Sequence, residues 1–184
     1  GWQAMGNPGW GFTDVLPWFL KSQDQQRGAS QLHTTGGLLA VQDLRYCSPL
    51  SKIFIEAGMH MGYPANDDFN GHLKPGFGIY QVTQRNGQRC SSAAAFLNPV
   101  LKRPNLKVLT NALAERVLIE NGTAVGVVVT HKGEQHKFAG GEVILCGGAI
   151  NSPQLLMLSG IGAADHLQEN DVTVKLDLPG VGRN

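Results

Sequence analysis

The hydrophobic positions of the first forty residues predict one helix, a loop and a short strand. Residues 10–22 place aromatic and aliphatic side chains at helical spacing. We expect Thr13 to be the N-cap of this helix, and Pro17 to leave it short or interrupted. Residues 23–37 are polar and rich in Gly, Ser and Thr, which is typical of a loop, and an apolar strand follows at 38–41.

Further along, the pattern predicts a second helix and a hairpin. Ser48 and Pro49 are typical helix-start residues, and the apolar positions that follow indicate a helix to about residue 61. A strand is expected from residue 77 to about 84, and Asn86-Gly87, which follow it, provide a hairpin turn. A short helix should then begin at 91–93 and bend or end at Pro99.

The second half of the chain predicts mainly strands. Asn121-Gly122 and Lys132-Gly133 supply turns between successive strands of an antiparallel meander. A separate strand precedes the meander, and an apolar run follows it that suits a parallel strand buried on both faces. These strands are predicted at 106–110, 116–120, 124–130, 134–138 and 143–146.

Small residues stand where the last of these strands should meet a helix. Gly147, Gly148 and Ala149 follow the apolar run, and Ser152-Pro153 predicts the helix start. Ligands bind beyond the carboxyl ends of strands in open α/β sheets, and a helix N-terminus favours acceptor-rich groups. A tight turn with no ligand explains the same residues equally well, because no Gly-x-Gly-x-x-Gly motif is present.

Composition narrows the class of protein. The chain has 184 residues, of which 42% are apolar and 16% charged, so it can bury the core of one domain or of parts of two. The formal net charge of +1 gives no electrostatic argument for nucleic acid or an anionic membrane. No apolar run approaches the length of about 18 residues that predicts a membrane span. The three cysteines, Cys47, Cys90 and Cys146, are far apart and are expected to be buried free thiols.

The titratable residues predict no catalytic group and no metal ligand. None of the six histidines has a carboxylate or nucleophile at a characteristic spacing. His131 and His136 could face each other across a hairpin as a weak metal site, although solvated strand residues explain them better. Asp67 and Asp68 are interpreted as two exposed turn residues.

A resemblance to a known family adds to these expectations. Residues 148–162 read GAINSPQLLMLSGIG, which resembles the second signature of glucose–methanol–choline (GMC) oxidoreductases: a small pair, Ser-Pro, two aliphatic residues, then Ser-Gly-aliphatic-Gly. Other segments resemble bacterial choline and alcohol dehydrogenases in the same order along the chain. They are GNPGWG at 6–11, NGQRCSSA at 86–93, RPNL at 103–106 and DLPGVGRN at 177–184.

The resemblance implies an α/β fold (α+β overall) made of parts of two domains. Residues 1–92 would belong to a substrate-binding domain built on an antiparallel sheet. Residues 93–184 would belong to a doubly wound FAD-binding domain that contains the meander. Ala114 matches the residue whose main chain contacts the adenine, where relatives usually have Val. Cys146, Gly147 and Gly148 match the small-residue turn near the ADP half of FAD.

The family chemistry implied is oxidation of a primary alcohol, of the aliphatic or choline type, to an aldehyde with hydride transfer to FAD. A quinone or another acceptor would take the electrons, in the cytoplasm or at the inner-membrane surface. The dinucleotide fingerprint would precede Gly1 and the catalytic His would follow Asn184, so we expect an internal segment of a longer enzyme.

Three alternatives remain open at this point. The segment alone could be inactive and unable to hold FAD. The parent could instead be a lyase of the hydroxynitrile type, which shares the signature. A binding module without flavin would place Ala114 and Gly147 far apart.

Overall fold

The computed structural model describes residues 1–73 and 75–183, which form two compact units. The first unit is Gly1–Leu106, and the second begins at Lys107. Compact packing therefore divides the chain at a later point than the predicted functional boundary between 92 and 93. That functional boundary stays a prediction.

Each unit contains two α-helices among its described residues. Those of the first unit are α1 (Phe12–Ser22) and α2 (Pro49–His60). Those of the second are α3 (Gly148–Leu158) and α4 (Ala164–Glu169). Short 3₁₀ turns lie at Trp2–Met5 and Asn98–Val100, and a π-helical turn lies at Ala93–Leu97.

Helix α1 differs from its prediction at both of the residues named for it. Gly11, not Thr13, is the N-cap, and its amide donates to the Asp14 carboxylate at 3.0 Å. Pro17 lies inside a continuous helix of 11 residues. One missing backbone donor in mid-helix costs stability but does not end a helix whose neighbouring residues keep their own hydrogen bonds.

Helix α2 confirms its prediction. The Ser48 hydroxyl accepts a hydrogen bond from the Leu50 amide at 3.3 Å, and Pro49 occupies the first helical position. The cap satisfies one of the amides that a helix start leaves without a partner.

The strands of the first unit are short. Strand β1 (Gln23–Gln25) pairs in parallel with β2 (Leu39–Val41), so the predicted loop at 23–37 is wrong at its beginning. The long strand predicted at 77–84 is also wrong, because Phe77 and Val82 form only isolated bridges and only Gln84 belongs to a strand. There β3 (Gln84–Arg85) and β4 (Gln88–Arg89) form the predicted Asn86-Gly87 hairpin.

The second unit is built on the predicted antiparallel meander. Strands β5 (Ala112–Glu120), β6 (Thr123–His131) and β7 (Glu134–Ala139) lie side by side in that order. Asn121 and Gly122 both have positive φ, at 50° and 76°, as the two-residue turn between β5 and β6 requires. Strand β8 (Ile161–Gly162) pairs in parallel with β9 (Leu176–Asp177).

Two predicted strands are not formed in the described part of the chain. Residues 106–110 and 143–146 belong to no ladder, and Ile144, predicted to be buried, is 76% exposed. A strand needs a hydrogen-bonded neighbour, and no described strand pairs with either run. An apolar run shows that a segment can be buried, but it does not supply the partner.

Helix α3 begins one turn earlier than predicted. Its N-cap is Gly147, and Ser152, predicted as the start, lies inside the helix. The Ser152 hydroxyl instead accepts from the Gly147 amide at 3.0 Å, and so satisfies a donor at the helix start.

The end of α3 is tied to the meander by one buried side chain. Ser159, which is 4% exposed, accepts a hydrogen bond from the Val117 amide at 2.8 Å. Its hydroxyl also donates to the Leu155 carbonyl at 2.6 Å. Because β5 is an edge strand, the Val117 amide would otherwise have no ladder partner on that side.

Gly160 then turns the chain from α3 into β8. Its φ is +88°, and a Cβ at this position would lie 2.5 Å from the Thr173 carbonyl oxygen. The Gly160 carbonyl accepts from the amides of Lys175 and Leu176, at 2.8 and 3.1 Å. Only glycine suits this turn, since both the backbone angle and the close approach exclude a side chain.

We predict that Ser159→Ala lowers the free energy of unfolding by about 1–3 kcal/mol, because the buried Val117 amide loses its acceptor. Urea unfolding measures the loss, and faster amide exchange at Val117 would locate it. Ser92→Ala is the matched control, since Ser92 is exposed and makes no side-chain cap. Equal stability of the two variants would contradict the assignment.

Candidate functional site

A cavity of about 490 Å³ lies in the second unit, beside the meander and α3. Ala114 from β5 and Cys146 and Gly147 before α3 all line it, so three of the four predicted cofactor residues share one site. Gly148 is outside the lining and forms the first residue of α3. Ala114 and Gly147 are therefore close together, against the alternative that would separate them.

The cavity walls are mostly aliphatic. β5 and β6 contribute Leu113, Ala114, Val127 and Val129, and the 143–147 segment forms another wall. The polar side chains come from α3, which contributes Asn151, Ser152 and Gln154. Among the described residues, no Asp, Glu, Lys, Arg or His lines the cavity, so the site suits an uncharged group with apolar faces and a hydrogen-bonding edge.

The segment 143–146, which was predicted to be a strand, instead lies between two cavities. Val143 and Leu145 line this cavity and also a second one of about 330 Å³, which Val117 and Leu156 help to form. A segment with cavities on two sides has no space-filling neighbour in this part of the chain.

Sequence reasoning missed several residues of the lining. The alternation of β6 could have identified Val127 and Val129, which lie on one face of that strand. Asn151 was missed because the helix was expected to begin after it. A helix start at Gly148 places Asn151 on the first turn, near the Gly147 N-cap.

Comparison with known proteins identifies the family. The family model described as GMC oxidoreductase matches residues 1–184. The chain belongs to the GMC oxidoreductase family.

Relatives within this family match the whole chain. It is 48% identical to the alcohol dehydrogenase [acceptor] of Pseudomonas putida, covering 100% of this chain and 34% of that protein. It is 45% identical to the mitochondrial choline dehydrogenase of Mus musculus, covering 100% of this chain and 31% of that protein. The GMC oxidoreductase chain thus spans about a third of these relatives.

Solved structures agree with the fold. Pyridoxine 4-oxidase from Mesorbium loti superposes with a TM-score of 0.87 at 32% identity, over 96% of this chain and 36% of that one. An FAD-dependent oxidoreductase from Chaetomium thermophilum gives a TM-score of 0.85 at 26% identity, over 97% of this chain and 34% of that one. The predicted mixed α/β class is confirmed. Within the described residues, no helix is long and apolar enough to cross a membrane.

The first unit of this GMC oxidoreductase holds a buried histidine that its sequence did not reveal. His33 is 8% exposed, and its Nε2 lies 2.9 Å from an Asp68 carboxylate oxygen. With Nε2 donating to Asp68, Nδ1 accepts from the Gln23 side-chain amide at 3.0 Å. The prediction of two exposed turn carboxylates is therefore right for Asp67 and wrong for Asp68. The pairing spans 35 residues of sequence, so no local pattern could indicate it.

This pairing affects the acidity of Asp68. Burial by itself would raise the pKa of the carboxyl. Hydrogen bonds from the His33 ring and the Asn70 amide, together with the charge of Arg27 and that of His33 when its ring is protonated, outweigh it and hold the pKa below the ordinary value of 3.8. The carboxylate is therefore favoured in the folded state.

The three cysteine thiols are free and differ in how far they are exposed. Cys90 is buried and Cys47 half-buried, but Cys146 is exposed, against the prediction, because the 143–146 run is not a sheet strand.

The rings of His131 and His136, considered above as a weak metal site, lie 6.3 Å apart. In the described ranges, no His, Cys, Asp or Glu side chains form a group of three that could hold a metal ion.

We predict that Asp68→Asn destabilises the protein most at neutral pH. A lowered folded-state pKa gives stability that is present above 3.8 and is lost as the pH falls through the folded pKa. Urea unfolding at pH 7 and pH 3 should therefore show a gap between wild type and variant that narrows at the lower pH. Asp67→Asn, at the exposed neighbour, is the control. A gap that widens in acid would contradict the assignment.

Proposed function

We propose that this chain is the part of an FAD-dependent alcohol oxidoreductase that holds the adenine end of FAD. The observation that carries the proposal is the cavity in which Ala114, Cys146 and Gly147 meet. Two segments that are distant in sequence, and that the family resemblance had separately assigned to the cofactor, line that one cavity.

The cavity residues fit this group. Adenine has apolar faces, and the aliphatic walls from Ala114, Val127 and Val129 would contact them. Its polar edge needs donors and acceptors, which the β5 backbone near Ala114 and the Asn151 and Gln154 side chains can supply. An uncharged lining suits an adenosine group and not the pyrophosphate. Gly148 stands at the α3 N-terminus, whose dipole favours acceptor groups of the ADP half.

For the whole protein, we propose oxidation of a primary alcohol, of the aliphatic or choline type, to an aldehyde. FAD, when bound, supplies the hydride acceptor. The relatives named as acceptor-dependent alcohol dehydrogenase and choline dehydrogenase support this reaction, and a quinone or another acceptor would then reoxidise the flavin. Residues 1–92 would contribute to the substrate domain and 93–184 to the FAD domain. The protein would act in the cytoplasm or at the inner-membrane surface.

The test uses the full-length protein. We expect a flavin absorption spectrum and aldehyde formation from an aliphatic primary alcohol or choline, coupled to reduction of a quinone or an artificial dye. Hydrogen peroxide formed with oxygen alone would identify an oxidase instead. Cyanide release from a cyanohydrin without acceptor reduction would identify a lyase, and absence of bound flavin would refute the proposal.

We predict that Ala114→Phe weakens FAD binding about tenfold or more, because a large ring at this position would fill cavity space that the small Ala114 side chain leaves open. Titration of the full-length apoprotein with FAD measures the change in Kd. Ala139→Phe is the matched control, since Ala139 is exposed on β7 and outside the lining. If the two variants bind FAD equally well, the cavity is not the adenine site.

A further inference from the structure

Strand β5 contains a bulge directly after the residue proposed to contact adenine. Ala114 pairs with Val129, and Arg116 pairs with Val128, which is the next residue on β6. Glu115 is therefore an extra residue that opposes no partner. An insertion of this kind bends the strand and changes which face each side chain occupies.

The bulge decides which face of the sheet Ala114 occupies. Ala114 and Val117 are an odd number of residues apart, so a regular strand would place them on opposite faces. Their partners, Val129 and Val127, are two residues apart on β6 and share a face. The extra residue thus puts Ala114 on the same face as Val117, the face from which Val127 and Val129 line the cavity.

The carboxylate of Glu115 is held by two side chains of the other strands. One oxygen accepts a hydrogen bond from the Thr130 hydroxyl, and the other accepts from the Gln135 side-chain amide at 2.7 Å. Thr130 and Gln135 are themselves paired across β6 and β7. The Arg116 guanidinium lies 3.9 Å from the same carboxylate. The bulge is thereby fastened to all three strands of the meander.

These contacts lie on the face opposite to the Val127 and Val129 side chains, and none of Glu115, Thr130 and Gln135 lines the cavity. Thr130 follows Val129 on β6, so its side chain points to the opposite face from the one that Val129 contributes to the lining. The Glu115 carboxylate therefore acts on the cavity only through the backbone.

We infer that Glu115 is a positioning residue for FAD binding, in which the carboxylate, held by Thr130 and Gln135, fixes the β5 bulge and with it the backbone of Ala114. This inference rests on the proposed adenine site.

Fixing the bulge matters because strand register can slip. If the bulge were lost while Arg116 stayed opposite Val128, Glu115 would pair with Val129 and Ala114 with Thr130, which would move the Ala114 side chain to the other face. Hydrogen bonds to an ionised carboxylate are stronger than those between neutral groups, so Glu115 is well suited to hold one register.

The test measures ADP binding to the full-length apoprotein by calorimetry, since ADP carries the adenine half of FAD without the flavin. Glu115→Ala should raise the Kd of ADP about tenfold, and that of FAD by a similar factor, because the charge-assisted hydrogen bonds are lost. Glu115→Gln should restore the Kd to within about threefold, since the amide can accept from Thr130 and donate to Gln135.

Two further variants separate positioning from general stability. Thr130→Val removes one donor and keeps the β-branched shape. It should weaken ADP binding by less than Glu115→Ala, and the double variant should bind no worse than Glu115→Ala alone. Glu120→Ala, at the exposed end of β5, is the matched control and should bind ADP like the wild type.

The outcomes distinguish this inference from the proposed function. Wild-type protein that binds neither ADP nor FAD would refute both. Wild-type binding with an unchanged Kd in Glu115→Ala would refute the positioning role alone. The same conclusion would follow if Glu115→Gln bound as poorly as Glu115→Ala, or if the losses from Thr130→Val and Glu115→Ala were simply additive.

Discussion

The second unit depends on the hydrogen bonds of one buried serine hydroxyl. Ser159 joins the last turn of α3 to the open edge of β5. It thereby connects two elements that both line the cavity. Gly160 follows directly, and its positive φ directs the chain into the parallel pair of β8 and β9. The distance between α3 and the meander, and hence the cavity, follows from this junction.

The family signature therefore has two physical roles along its length. Its first half contributes Asn151, Ser152 and Gln154 to the cavity lining, although Gly148 lies outside that lining. Its Ser-Gly-Ile-Gly end is structural, because Ser159 hydrogen-bonds to β5 and the two glycines allow close packing. The hydroxyl and the glycines are needed there for hydrogen bonding and space.

Much of the fold was predictable because its signals are local. The hairpin turns at Asn86-Gly87 and Asn121-Gly122 depend on the preference of these residues for positive φ, and helix α2 depends on Ser48-Pro49. Predictions failed where the outcome depended on a distant partner. The apolar run at 143–146 needs a neighbouring strand, and His33 needs Asp68, and neither requirement is visible within a short window of sequence.

For the candidate site, the sequence by itself determined the family, the meander and the two segments that hold Ala114 and Gly147. Only the tertiary structure decided that these segments share a cavity, that Gly148 lies outside its lining, and that Val127 and Val129 complete it. It also decided the face on which Ala114 lies, through the bulge at Glu115. The physical reason is that a side chain's face depends on strand register, which is set by pairing between strands and not by the residues of one strand alone.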